Sequence, residues 1–295
     1  MKRFLLIEKI QVEGANAFSS PYSIGFPQMT SFLGFVHKIE RDFNSNNDNK
    51  IFFKKTGVIV YDFNLQSLEN KTHYALTGQA YSAKYTVKNE IQRPSFIPEP
   101  RCDMCVSLLI EYEEELEEDT DEDEIKDYID QKLLSLRLCS GNIVNYKTIK
   151  FFAMKNDCLS DHPKLMSTLM PGFCLIERKD LMVENMEKGN DALDALFHFM
   201  NINYSCEIIK EQNGKIENFM WKGNKAEKGW IIPLTVGYQK IADGNESCNL
   251  RTHGYIHKFV EPIVTLCEFV MPYRIENINQ ILWYYQNENG IYSCR

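Results

Sequence analysis

The stretch from Gly14 to Arg41, GANAFSSPYSIGFPQMTSFLGFVHKIER, constrains the fold of this chain more than any other. Just before it, in Phe4 to Val12, Ile10 and Val12 alternate with Lys9, Gln11 and Glu13, a period of two that predicts a strand. Gly14, Asn16, Ser19, Ser20, Pro21, Ser23 and Gly25 then make a loop of small and polar residues. Beyond the loop, Met29, Phe32, Leu33, Val36, Ile39 and Phe43 recur at helical spacing and give one apolar stripe. Pro27 suits a first helical position, where a missing N–H leaves nothing unsatisfied. Strand, hydroxyl-rich loop and helix in this order place exposed N–H groups beside hydroxyls and an amide, a setting for phosphate or another anion. An ordinary strand-to-helix connection has the same order.

Asn16-Ala17-Phe18-Ser19-Ser20-Pro21, Gly25-Phe26-Pro27 and Phe32-Leu33-Gly34-Phe35-Val36-His37 resemble the N-terminal signature of one CRISPR-associated family. It is the RAMP-type subunit of the type I-F (Csy) surveillance complex, which holds the 5′ handle of the crRNA. Similar blocks continue through Arg137 with Gly141 and Ile143, Met170 to Phe173 with Arg178, and Gly237-Tyr238-Gln239. Asn249-Leu250-Arg251, Phe259-Val260-Glu261, Pro272-Tyr273-Arg274 and Leu282-Trp283-Tyr284 complete the set. The resemblance thus covers nearly the whole chain.

The resemblance implies an α+β fold: a ferredoxin-like (RRM/RAMP) palm with an inserted thumb-like extension and an additional C-terminal α+β portion. The palm with its thumb would occupy 1–170, the thumb about 84–105, and the C-terminal portion 171–295 would pack on the palm. The implied function is a non-catalytic crRNA-binding subunit. It would dock the large subunit, touch the repeated backbone subunit through the thumb, and meet target DNA through the assembled complex. Asn16, Ser19, Ser20 and Gln28 would hold backbone and base edges, and Phe18 or Tyr22 would stack on a base. Arg137, Arg178, Asn249 and Arg251 would line the rest of the groove, with Arg93 and Arg101 in the thumb. No cofactor is implied.

A formal charge of −8 argues against a nucleic-acid partner until its distribution is considered. Eleven of the 41 acidic residues lie in Glu111 to Glu124, which has no Lys or Arg, so the rest of the chain sets 30 acids against 33 bases. Charge segregated in this way can leave a basic groove elsewhere. The acidic run reads as a solvated loop and helix start, or as a docking surface for a basic partner. The nine cysteines form no small-scaffold framework, and the N-terminal apolar run is broken at Glu8. Reduced thiols in a cytoplasm, without a signal peptide or spanning helix, are the expectation.

Further along, Ile59 to Leu65, His73 to Gly78 and Val106 to Tyr112 read as extended segments, and Lys84 to Arg101 as an excursion from the sheet. Ile125, Tyr128, Ile129, Leu133 and Leu136 predict a helix, with Thr120 or Asp121 at its start and Gly141 at its end. Strand, helix, strands, helix, strand is the ferredoxin-like order, in which RRM proteins meet single-stranded RNA. Arg137 at that helix end either grips a phosphate or base, or caps helix carbonyls. A helix is expected over 191–200, a hairpin over 206–221 around Asn213-Gly214 and a strand over 230–238; the family resemblance implies another helix beginning near Phe259.

Cys102-Asp103-Met104-Cys105 is the one metal-like spacing, and no second ligand pair completes a zinc site; His253 and His257 lack the carboxylate of an HExxH motif. No metal is expected. The alternative function is a metal-independent endoribonuclease acting on CRISPR repeat RNA through His37, with His73 or His257 as a second imidazole. The neighbours Val36 and Ile39 favour a packed, structural His37 instead.

Overall fold

The computed structural model describes residues 1–47, 50–69, 74–76, 79–80, 85–87, 90–92, 96–97, 99–114, 122–212, 215–242 and 257–295, with the side chains of 68–97 and 208–219 left aside. β1 (Lys2–Asn16) leads through a small hairpin, Phe18–Ser20 with Ser23–Ile24, into α1 (Met29–Asn46) and then β2 (Ile51–Leu65). Gln28 is the N-cap of α1, so Pro27 precedes the helix instead of opening it. The buried positions Met29, Phe32, Leu33, Val36, Ile39 and Phe43 are those the helical period picked out, joined by Phe35.

Between β2 and β3 (Arg101–Glu114) the chain makes paired short segments: Ser67–Glu69 with Tyr74–Leu76, Gln79–Ala80 with Phe96–Ile97, and Tyr85–Val87 with Glu90–Gln92. This insertion reaches back to 67, whereas 101–105, expected at the end of the thumb, belong to β3. Then follow α2 (Glu122–Lys132), a 3-10 turn at Leu133–Ser135, the short strand Arg137–Leu138, β4 (Gly141–Asn145) and β5 (Thr148–Met154). Three acids in the first turn of α2, Glu122, Asp123 and Glu124, complement the positive end of its dipole.

The remaining elements are α3 (Pro163–Leu169), β6 (Phe173–Glu177), α4 (Lys179–Glu187), α5 (Ala192–Met200), the hairpin β7 (Ile202–Gln212) with β8 (Lys215–Lys225), and β9 (Ile231–Ala242). Asp191 caps α5 by accepting from the Asp194 N–H at 2.8 Å. β10 (Phe259–Val270) is a strand where a helix was expected; it pairs with β9 on one side and β6 on the other. The segment is rich in Val, Ile and Phe, which fits a pleated surface. Leu282–Trp283, β11 (Tyr285–Glu288) and β12 (Ile291–Cys294) end the chain.

Among the described residues, one 12-stranded sheet runs in the order Arg137–Leu138, β4, β1, β3, β2, β6, β10, β9, β12, β11. β5 also pairs with β1, and Leu282–Trp283 with β2. The portion after residue 170 therefore continues the same sheet, with β6 hydrogen-bonded to β2. Both faces of the central strands are covered. Leu5, Ile7, Leu108 and Ile110 pack beneath α1 and α2, while Phe4, Leu6, Ile59 and Leu109 face α3 and the C-terminal 3-10 turns. That double burial explains why β3 shows no exposed face over Val106 to Tyr112, where even Ser107 and Glu111 are buried.

Candidate nucleic-acid interface

The serine loop is a closed hairpin. Ser23 Oγ lies 2.8 Å from Ser19 Oγ and 2.9 Å from Ser20 Oγ, and Ser20 Oγ also accepts from the Tyr22 N–H at 3.1 Å. Ser19 and Ser20 are only 6% and 5% exposed, so their hydroxyls brace the turn and do not face an incoming ligand. Asn16 Oδ1 accepts from the Phe18 N–H, and the Gly25 N–H bonds to Ala17 O. Directly after the turn, Phe26 stacks on Phe32 and meets Phe269 edge-on, which pins the hairpin to the core. Gln28 accepts from the Tyr238 hydroxyl and donates to Ser31 Oγ, so its amide is engaged too. What the hairpin presents outward is aromatic: Phe18 and Tyr22 are exposed.

A second turn lies beside the end of β1. Arg137 and Leu138 pair with Asn142 and Gly141, and the two intervening residues, Cys139 and Ser140, have φ of 50° and 66°. Positive φ at both central positions is the signature of a type I′ hairpin, which matches the twist of its strands. A helix-ending role for Gly141 is therefore replaced by another. A Cβ on Gly141 would stand 2.6 Å from Val12 Cγ1 and 2.8 Å from the Ala15 nitrogen, so only glycine lets the turn sit this close to β1. The Asn16 N–H donates to Cys139 O at 2.9 Å and fastens the contact.

Beside that turn, Arg137, Cys139, Ser140, Ser135 and Leu136 form one wall of a groove of about 370 Å³; Ser31, Gly34, Phe35 and Lys38 of α1 form the other. Lys38, Ser135 and Leu136 also border a further groove of about 250 Å³ that runs between α1 and α2 past Tyr128 and Lys132. Lys38 is paired with Asp42 at 2.7 Å. Arg137 is exposed and, among the described residues, meets no carboxylate. A guanidinium held on a rigid turn at the mouth of a groove offers a forked donor set to a phosphate and a flat cation to a base.

The other named cations are arranged differently. Arg178 is clamped: Nε and Nη2 donate to Asp180 at 3.0–3.1 Å, and Nη1 donates to Glu268. The hydrogen bonds from Asp180 and Glu268 raise its pKa further and fix it across α4 and β10. Arg101 opens β3, where it donates to Gly14 O and pairs with Glu99 at 2.7 Å. Lys147 and Lys150, the basic residues after the Arg137 turn, converge on buried Glu8 at 2.5 and 2.8 Å. Arg93, Asn249, Arg251, His73 and His253 lie outside the described residues and side chains. The structure thus brings Asn16, Arg137 and the first half of α1 together, and assigns Arg178 and Arg101 to intramolecular contacts.

His37 points outward from α1, with its side chain 57% exposed and Nδ1 3.9 Å from Glu40. It is the neighbouring Phe35 and Val36, and not His37, that complete the buried face. Cys102 and Cys105 stand three apart on one strand and so project from opposite faces. Cys102 is buried, with its thiol toward Ala15 O and its pKa pushed up to about 12 by burial; burial also raises Cys105. Two protonated thiols facing away from each other make a poor metal pair. Sequence reasoning missed the groove between α1 and the Arg137 turn, because its walls are distant in sequence and only the sheet brings them together.

A family model described as "CRISPR-associated protein (Cas_Csy2)" matches residues 5–294. The CRISPR-associated protein Csy2 of Pseudomonas aeruginosa (strain UCBPP-PA14) is 25% identical over 314 residues, covering 98% of this chain and 93% of that protein.

Proposed function

The chain belongs to the Cas_Csy2 family and is a subunit of a type I-F CRISPR Csy complex, and from that premise we propose that it holds the 5′ handle of the crRNA without cutting it. The observation that carries this reading is the exposed Arg137, free of carboxylate partners among the described residues, on a rigid turn over the α1 groove. Single-stranded RNA offers phosphates for such a guanidinium and unstacked bases for exposed aromatics such as Phe18. Asn16 joins the two, since its backbone is bonded to the Arg137 turn and its side chain to Phe18.

The strand order β4/β5, β1, β3, β2, each antiparallel to its neighbour, supports a ferredoxin-like palm within 1–170. The nested short strands between β2 and β3 are the natural thumb, the part that touches the backbone subunit. The large subunit docks beside the handle site, and guide pairing reads the target DNA.

The test is fluorescence anisotropy with a labelled handle RNA and an unrelated RNA of equal length, on the purified chain and on the Csy complex. The handle binds more tightly than the control, and Arg137→Ala weakens it about tenfold, the loss of one charge-assisted contact, with an unchanged melting curve. Equal affinity for both RNAs overturns the handle assignment. Metal-free cleavage of repeat RNA that disappears in His37→Ala overturns the non-cutting role.

A further inference from the structure

The exposed side of α5 borders an apolar groove that the RNA reading does not use. Leu193, Leu196, Phe197 and Met200 of α5 form its floor with Met182 of α4, and Tyr22, at the tip of the serine hairpin, stands at its edge beside Pro233 and Pro262. The cavity is about 320 Å³, and Leu193, Phe197 and Tyr22 are 58%, 48% and 77% exposed. A small-molecule site needs a few convergent polar groups to orient its ligand. Here the lining has two hydroxyls, those of Tyr22 and Ser23, and the Ser23 hydroxyl is already bonded to Ser19 and Ser20. Apolar surface of this kind on a water-soluble face marks contact with another macromolecule.

The charges around the groove identify the partner's chemistry. Within two positions of any lining residue the sequence has Asp180, Glu184, Asp191, Asp194 and Glu261, and no Lys or Arg. Asp180 and Glu184 are paired with Arg178 and Lys188. Glu261 alternates with the lining residues Pro262 and Val264 on β10 and so projects from the other face of the sheet. Asp191 and Asp194 meet no cation among the described residues, which leaves a negative margin along α5 beside the apolar floor.

We propose that this groove docks an amphipathic helix of a partner protein, one with large apolar side chains at i, i+3, i+4 and i+7 and Lys or Arg along the flank that lies against α5. The apolar stripe covers Leu193, Phe197 and Tyr22 as in other helix-in-groove complexes, and the basic flank meets Asp191 and Asp194. The inference stands independently of the RNA-binding reading.

The test uses the full chain and three labelled synthetic peptides of equal length: a leucine-striped helix flanked by lysines, the same stripe flanked by glutamates, and a scramble of the first. Anisotropy shows the lysine-flanked helix binding at least tenfold more tightly than either control, and Phe197→Asp abolishes the difference. Asp191→Asn with Asp194→Asn, which keeps a capping residue at the start of α5, reduces binding several-fold and flattens its salt dependence. Leu193→Ser, a milder change at an exposed position, keeps the test valid if Phe197→Asp melts early. Equal binding of all three peptides overturns the proposal, as does an unaltered affinity in Leu193→Ser and Phe197→Asp. Dimerisation in light scattering that Leu193→Ser removes also overturns it, by showing that a second copy covers the face.

Discussion

Two short hairpins flank the end of β1, and both are small and polar in sequence. In the Phe18–Ile24 hairpin the hydroxyls turn inward and bond to one another, so the polar residues stabilise the turn and the aromatic ones face outward. In the Arg137–Gly141 hairpin the backbone alone fixes the shape, through two residues at positive φ and a glycine against β1. Its charged side chain is therefore left for another molecule. Polar composition does not by itself mark a binding surface; what matters is whether a polar group already has an internal partner.

The largest effect that would sharpen this contrast is expected at Gly141. Gly141→Ala drives a methyl into Val12 and the Ala15 backbone and should cost about 3 kcal/mol of stability, read from a denaturant midpoint. Next, Arg137→Ala should cost about 1.4 kcal/mol of RNA affinity, the tenfold loss given above, while leaving that midpoint in place. Ser23→Ala should do the reverse: it removes the hydroxyl that links Ser19 and Ser20, costing about 1 kcal/mol of stability, with less than a twofold change in RNA binding by anisotropy. A comparable loss of RNA binding in both variants would erase the distinction between the hairpins.

Smaller effects refine it. Removing the Arg137 contact should reduce the slope of log affinity against log salt by about 0.7, as for one phosphate on a single strand. In β1, burial pushes the Glu8 carboxyl up, but the hydrogen bonds from Lys147 and Lys150 outweigh it and hold the pKa below its ordinary value of 4.5. A carboxyl lowered in the folded state stabilises the protein above the unfolded pKa, and that stability is lost as pH falls through the folded one. Glu8→Gln should therefore flatten the fall in stability below about pH 4.5, measured by acid titration of the denaturant midpoint.

Much of the framework was legible in the sequence. The stripe of α1, the helical spacing of α5, the alternation in β9 and the Asn213-Gly214 separation of β7 from β8 all announce themselves through local spacing. Phe259 to Val270 did not, because Pro262 interrupts the strand signal and the pairings with β6 and β9 come from distant segments. The candidate site was only half legible. Arg137 was named from a family-like block, but Gln28 and Arg178 are held by Tyr238 and Glu268 on distant strands, and the bonding of Ser19 and Ser20 to Ser23 depends on the fold of the turn, which no local period reports. His37 illustrates the limit: Val36 and Ile39 are buried, yet the 100° step of the helix turns the residue between them to solvent.

The outer edge of β2 is sealed by β6 and by Leu282–Trp283, the latter from almost the far end of the polypeptide. A growing chain therefore emerges from the ribosome with half of its sheet assembled and one long margin still unzipped, open to the wrong neighbour. Synthesis speed and chaperone supply would then govern the yield of this subunit as much as its final stability does.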